Sequence, residues 1–424
     1  MANVTISAQQ VIVIGGGVVG LASAWWLLEA GYRVTLVEQA AIVGGASSYR
    51  NGGQLSYRYV SPLADAGVPL KALRWLLQPD GPLRFKPEAD WRQWRWLARF
   101  IACCNSEANR RTTAMLLQLG ALSRQAMARL ALVVPPEEFA WRNAGKLVVY
   151  RSRTVLDAVL SRPDPDHVRQ VWSPAEIVQR EPALAELAPH LAGGIYNEGE
   201  AVADCHAFCL ALARRLQTHP RFQGIVQAQA RQLQVRQGKI DGLLTSAGCL
   251  QADRYVLAAG VASRDLAASA GLYLPIYPLK GYSLTAPIRA HDRAPDISVT
   301  DAERKVLYAR IGGNLRVAAM ADLVGDNTAI DPRRMASLRR LARAALPGAA
   351  DYDRAEPWAG LRPATPDGAP IVGATRYPNL WLNVGHGALG FTFACGTAAL
   401  LADLMRGKAA PLALERLAGG MRIR

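Results

Sequence analysis

The stretch that most constrains this chain is Val11-Ile12-Val13-Ile14-Gly15-Gly16-Gly17-Val18-Val19-Gly20, followed by an apolar run over residues 21–30 and by Arg33-Val34-Thr35-Leu36-Val37-Glu38. The β-branched run predicts a buried parallel strand, the glycines a tight turn, and residues 21–29 a helix closed by Gly31. A second apolar strand then ends in an acid. This is the βαβ unit of a dinucleotide-binding fold, with Gly15, Gly17 and Gly20 in the G-x-G-x-x-G positions. Gly15 permits the turn, Gly17 lets a pyrophosphate approach backbone amides at the helix N-terminus beside Val18 and Val19, and Gly20 lets helix and sheet pack closely. Glu38, with Gln39 after it, is positioned to accept hydrogen bonds from ribose hydroxyls, and its charge would repel the 2'-phosphate of NADP. A membrane-spanning or signal segment over the uncharged residues 11–28 is the rival reading. It fails because residues 1–10 hold no Lys or Arg and three clustered glycines weaken a spanning helix.

With 424 residues, half of them apolar, the chain can bury a large core in one or two intimately joined domains. Its 49 basic residues exceed its 34 acidic ones, and the net charge of +15 favours an anionic partner. Nucleic acid is not expected, since no recognition helix, zinc or RNA-binding motif accompanies the dispersed basic residues. Six cysteines without a C-x-x-C pair suggest free thiols in a cytosol-facing chain, and Cys205, His206 and Cys209 lack a fourth ligand, so no metal is expected.

Beyond Glu38, the run Gly45-Ala46-Ser47-Ser48, then Asn51-Gly52-Gly53-Gln54, is too small and polar for a core element and suits a loop laid along a phosphate and a cofactor ring. Residues 62–104 are aromatic and basic. On a helix, Trp91, Trp94, Ala98 and Ile101 share one face and Arg92, Arg95 and Arg99 another, which fits either a membrane interface or an amphipathic cap on a core; the net charge favours the membrane. Residues 105–190 read as helices and short strands without chemistry, with prolines at 135–136 and 163–165 marking loops. A turn bearing Glu198, Glu200 and Asp204 leads into a helix over 205–216 that Asp204 would cap. Strands at 225–230, ending in Ala230, and at 255–260, ending in Ala259-Gly260, return the chain to the dinucleotide region. Period-two alternation over 276–284, 306–311 and 315–319 predicts an antiparallel sheet with one face to a cavity. Residues 333–346 form a basic amphipathic helix. A strand at 380–384 then gives way to Gly385-His386-Gly387-Ala388-Leu389-Gly390-Phe391-Thr392 and an apolar helix over 393–405, a second strand–glycine–helix turn with a positive helix end.

Two such turns at opposite ends of one chain, separated by a sheet with arginines, resemble the glycine oxidase and D-amino acid oxidase class of flavoproteins, and more closely the bacterial FAD-dependent D-amino acid dehydrogenases. The segments that carry this are Gly67-Val68-Pro69-Leu70-Lys71-Ala72, Tyr277-Pro278-Leu279-Lys280-Gly281-Tyr282-Ser283-Leu284, Gly360-Leu361-Arg362-Pro363 with Thr365-Pro366-Asp367-Gly368, and Gly385-His386-Gly387, which span nearly the whole chain in order. The resemblance implies an α/β chain with bound FAD. It divides the chain into a discontinuous Rossmann-type FAD-binding domain (residues 1–60, 190–271 and 357–424) and an α+β substrate domain with a mainly antiparallel sheet (61–189 and 272–356). It also implies oxidative deamination of a D-amino acid to a 2-oxo acid and ammonia by hydride transfer to flavin N5. Electrons would pass to a quinone or other respiratory-chain acceptor, with the protein peripheral on the cytoplasmic face of the bacterial inner membrane, against its anionic surface, or in the cytoplasm. A flavin enzyme for a cyclic or N-methyl amino acid, such as D-hydroxyproline, D-proline, sarcosine or glycine, would use the same residues.

For that chemistry the substrate carboxylate must be fixed and its amine neutral. The resemblance puts Arg310 on the substrate-facing strand and Arg362 near the flavin edge; Arg316, six residues beyond Arg310, is the rival if the strand runs unbroken. It further implies that Tyr282 bonds the carboxylate, Tyr59 lines the pocket, and His386 tunes the ring or moves a proton. Gly385, Gly387, Leu389, Gly390, Phe391 and Thr392 complete the expected cofactor contacts. The chain departs from the family at Arg50, where a small residue is usual, and at Tyr57-Arg58, in place of a Pro-Gly type pair. These arginines raise the expectation of polar or acidic substrates.

Overall fold

In the computed structural model, which describes residues 9–78, 80–161 and 169–418, the run Val11-Ile12-Val13-Ile14 lies at the middle of a six-stranded sheet. Its strand, Gln10–Ile14, pairs in parallel with Arg33–Glu38 on one side and Arg254–Leu257 on the other. Phe222–Gln227 and Leu380–Val384 extend the parallel order, and antiparallel Ile371–Ala374 closes one edge. Both faces are covered, so the strands carry unbroken apolar runs. Val11 and Val13 pack with the helices Val18–Glu29, Cys205–Gln217 and Gly390–Met405, whereas Ile12 and Ile14 meet Leu233, Ile240 and Leu243 of a small three-stranded antiparallel sheet. The strand expected over 225–230 ends at Gln227, and Ala230 opens the small sheet instead. The prolines at 163–165 lie outside the described residues.

A second, nine-stranded sheet runs in the order Glu356–Ala364, Tyr277–Pro287, Asn314–Leu323, Val306–Ile311, Ser298–Asp301, Lys146–Tyr150, Gly193–Asn197 and Gln170–Trp172, with Leu83–Phe85 added beside Asn314–Leu323. Only two of its pairings are parallel. Residues 193–197 and 357–364, which the sequence reading assigns to the FAD-binding segments, pair in this sheet. One face is packed by the helix Pro332–Ala345, with Tyr282, Leu284, Tyr308, Leu315 and Val317 meeting Met335 and Leu338. The other face carries the loop over residues 50–56, whose carbonyls at Arg50 and Asn51 accept bonds from Ser283 and Arg316.

The helix Trp91–Cys103 buries only Gln93 and Trp96. Gln93 donates to the Tyr277 hydroxyl and Trp96 to the Ala364 carbonyl, which pins the helix to the second sheet. The face shared by Trp91, Trp94 and Ile101 is largely exposed, with Trp91 stacked on Tyr273 and Trp94 edge-on to Phe85. The helix Val68–Leu76 has no buried residue at all. Among the described residues, one apolar segment, Gly387–Met405, is long enough to cross a membrane, but it is a core helix packed against Val18–Glu29 and Ser106–Ala131.

Candidate active site

Gly15 adopts φ +111°, and a Cβ on Gly20 would stand 1.8 Å from the Gly15 carbonyl oxygen, so turn and helix meet backbone to backbone. The helix Val18–Glu29 begins at Gly17 with no side-chain cap and no acid in its first turn. Its leading amides are therefore available to an anion, apart from Val18 N, which donates to Ser48 Oγ at 3.0 Å. Beside them Glu38 accepts from Gly16 N at 2.6 Å and from Ala40 N at 2.8 Å, with Gln39 exposed between strand and turn. Gly45 and Ala46 are exposed, and Ser47 donates to the Leu361 carbonyl, tying this loop to the second sheet.

The second turn repeats the design. The helix Gly390–Met405 starts after Leu389 without a side-chain cap or an early acid, and its first turn holds the buried Phe391 and Thr392. Gly385 and Gly387 have φ +79° and +54°, and Gly260, following Ala259, has +58°. Nothing stands within 4 Å of a Cβ placed on Gly387 or Gly260, so both turns border open space. The strand Glu356–Ala364 runs past both of them. Two uncapped, positive helix ends with open glycine turns between them form a cradle that fits a dinucleotide carrying an anionic ring system.

Arg362 stands over this cradle. Register pairs it with Leu279, and Gly360 with Gly281, so the four share the face turned to the nucleotide sheet. The guanidinium lies across Gly281, where a Cβ would approach it to 2.2 Å. Its Nη1 donates to the Met320 carbonyl at 2.8 Å, its single hydrogen bond among the described residues. Burial pushes its pKa down, against the pull of Asp322, yet the side chain keeps some access to solvent. Half-buried, with donors beyond the one bond to Met320, its planar fork is able to pair with a carboxylate. Tyr59 has the same character, 39% exposed although burial raises its hydroxyl pKa.

Two other expected catalytic residues sit elsewhere, and the third, His386, lies in the second glycine turn. Arg310 pairs across the sheet with Leu315, which faces the helix side, and it forms an exposed ion pair with Asp296 at 2.8 Å. The expectation that it holds substrate is corrected: Gly312-Gly313 reverse the chain, so Arg310 and Arg316 are on different strands with opposite faces. Arg316 is the one facing the loop, where it donates to Asn51 O at 2.7 Å; burial lowers its pKa to about 10. Tyr282 is corrected likewise, since Gly281 and Ser283 face the cleft and Tyr282 packs with the core under the helix Pro332–Ala345. The His386 ring lies 3.0 Å from Thr397 Oγ1, and burial pushes its pKa down to about 3. Burial favours the neutral ring, and the contact with Thr397 ties the turn to the helix. Arg50, at φ +52°, is ion-paired to Glu356, which balances its charge.

Sequence reasoning passed over Lys146 and did not see a role for Glu200 here. Lys146 donates to Gln54 Oε1 at 2.8 Å and to Ser56 Oγ at 2.9 Å; Glu200 accepts from the amides of Tyr57 and Arg58 at 2.7 and 2.8 Å. A lysine heading the apolar run Lys146–Tyr150 was the available signal. Thr392 joins the same loop, accepting from Ser56 N at 3.1 Å, while Gly52 and Gly53 rest against Leu307 and Ile311.

A model of the family described as FAD dependent oxidoreductase matches residues 10–404. The chain is 49% identical over 397 residues to D-amino acid dehydrogenase 2 of Pseudomonas aeruginosa, covering 93% of this chain and 94% of that protein. It is 45% identical to a protein of the same name from Ralstonia nicotianae, over 96% of this chain and 100% of the other. Among solved structures, glycine oxidase from Bacillus cereus superposes with TM-score 0.71 at 20% identity, covering 97% of this chain and 98% of that one. L-proline dehydrogenase from P. horikoshii gives 0.74 at 15% identity, over 96% of both chains. The cradle of two open helix ends and the match along nearly the whole chain agree: this protein belongs to the FAD-dependent oxidoreductases and takes FAD as its cofactor.

Proposed function

We propose that the protein oxidises D-amino acids to imino acids, which water converts to 2-oxo acids and ammonia, and that the electrons pass to a quinone or a similar respiratory-chain acceptor. The observation that carries the substrate half is Arg362, a guanidinium with one internal acceptor on the cleft wall beside the FAD cradle. The names of the relatives at 49% and 45% identity support it. When bound, FAD supplies the two-electron acceptor. Arg362 grips the substrate carboxylate through its fork, and Gly281 gives that guanidinium room to lie flat on the sheet. Tyr59 closes over the bound substrate and limits water. Neutral His386 keeps the glycine turn fixed on its helix. An assay with an artificial acceptor tests the substrate class: primary D-amino acids are expected to give the highest kcat/KM, and preference for D-proline, sarcosine or glycine would reverse the assignment.

The acceptor half rests on the surface of residues 68–103. Leu70, Leu73 and Leu77 are 66%, 63% and 86% exposed, beside exposed Lys71 and Arg74. Trp91, Trp94 and Ile101 stand out from the following helix, whose Arg95 stacks on Tyr273 at 3.9 Å and whose Arg92 pairs with Asp265. Leucine, indole and basic side chains together fit an anionic lipid interface. Co-sedimentation with vesicles checks this. Binding to anionic vesicles is expected, with loss in Leu73→Asp/Leu77→Asp, and equal recovery of both proteins in the supernatant would remove the membrane from the proposal.

A further inference from the structure

The segment that follows the FAD loop, residues 54–59, is held from two sides by buried opposite charges. On one side the Lys146 ammonium donates to the side chains of Gln54 and Ser56 and lies 4.3 Å from the centre of the Tyr59 ring. On the other, the Glu200 carboxylate accepts from the consecutive amides of Tyr57 and Arg58. Both residues are 2% exposed. Gln54 reaches on to Ser298 and Thr300, and Ser56 N is fixed by Thr392 in the first turn of the helix at the FAD cradle. The contacts therefore run from the cofactor helix through the segment to the pocket tyrosine.

A buried charge is costly, and a hydrophobic pair would stabilise the fold as well. What the charged pair adds is orientation, because each group makes several directed bonds to one short stretch of chain. We propose that Lys146 and Glu200 are positioning residues that fix the segment 54–59 and thereby hold Tyr59 over the bound substrate. Burial lowers the Lys146 pKa to about 8 while Glu200 favours its charge. Of the titratable groups near the segment, burial raises the pKa of Tyr57, Tyr59 and the Glu200 carboxyl, while Cys395 and Glu200 push Tyr57 further up and Arg124, at Gly199, pulls it down. The ammonium is half deprotonated near pH 8 and is lost as pH rises further, so the clamp weakens on the alkaline side.

The kinetic part of the test rests on the D-amino acid reading; the proteolytic part does not. FAD-loaded wild type, Lys146→Met, Lys146→Arg and Glu200→Gln are compared for FAD content, for the pH dependence of kcat/KM, and for tryptic cleavage after the exposed Arg58. Lys146→Met and Glu200→Gln are expected to retain FAD, to be cut after Arg58 roughly ten- to a hundredfold faster, and to lose a similar factor in kcat/KM. Lys146→Arg is expected to restore resistance and to move the alkaline limb near pH 8 upward. Unchanged cleavage after Arg58 in both neutral variants overturns the proposal. Faster cleavage in a protein whose wild type no D-amino acid reduces leaves the clamp standing and removes the substrate reading instead.

Discussion

Arg362 and Arg310 lie in the same nine-stranded sheet, but the pleat turns Arg362 to the cleft and Arg310 to Asp296 at the outer edge. The energies differ accordingly. Removing a guanidinium that pairs with a carboxylate away from water costs about 2–4 kcal/mol, so Arg362→Ala should lower kcat/KM roughly 30- to 1000-fold, chiefly through KM. An exposed ion pair is worth about 0–1 kcal/mol, and Arg310→Ala should leave kcat/KM within about threefold. Steady-state kinetics of the two variants check this directly; the reverse ranking would return Arg310 to the site. His386 yields a second prediction at this scale. Its folded pKa of about 3 lies below the ordinary 6.5, so the unfolded chain takes up the proton first as pH falls. The stability due to the neutral ring is complete above 6.5 and is lost as pH drops toward 3. Acid unfolding followed by circular dichroism should be shallower across that window in His386→Asn. The pH profile of kcat/KM should show no limb belonging to this histidine. Arg310 and Tyr282 were expected at the site from the resemblance, and it is strand parity that turns them to the other face. A single position decides which face a side chain takes, and neither the Gly312-Gly313 reversal nor the helix behind Tyr282 is visible in the spacing of the residues themselves.

The helix starts at Gly17 and Leu389 do the same electrostatic work from opposite ends of the chain. A methyl group on Gly20 would meet the Gly15 carbonyl at 1.8 Å, and that neighbour is backbone that cannot swing aside. Gly20→Ala should therefore be recovered without FAD and with a lower melting temperature, read from the flavin spectrum and from thermal unfolding; full FAD content would mean that the turn relaxes more than its packing suggests. These elements were legible because their cause is local. β-Branched runs, punctuating glycines and the capping aspartate at 204 each act within a few residues, and the strand Leu380–Val384 and the helix Cys205–Gln217 fall where the sequence puts them to within a residue. Sheet membership was not legible at Gly193–Asn197 and Glu356–Ala364, because pairing with Lys146–Tyr150 and Tyr277–Pro287 is decided by partners distant in the chain. The periodicity of Trp91, Trp94 and Ile101 was read correctly as one face. Whether a core or a membrane would cover that face depended on neighbours, and the core chose Gln93 and Trp96.

Across the whole molecule, two sheets divide the work. The six-stranded sheet supplies the FAD cradle, and the edge strand Glu356–Ala364 of the nine-stranded sheet brings Arg362 beside its glycine turns. The basic helices Val68–Leu76 and Trp91–Cys103 expose leucine and tryptophan side chains, the surface on which the proposed membrane contact rests. The proposed function turns on D-amino acids, held at Arg362, being the substrates that FAD oxidises. Anaerobic mixing of the FAD-loaded protein with each enantiomer of the same amino acid, followed by the visible flavin absorbance and then by reoxidation with a soluble quinone or with air, tests it most directly. The account predicts that D-enantiomers bleach the flavin, that L-enantiomers do not, and that the quinone restores the colour faster than air; bleaching by L-enantiomers, or by no D-amino acid at all, would contradict it.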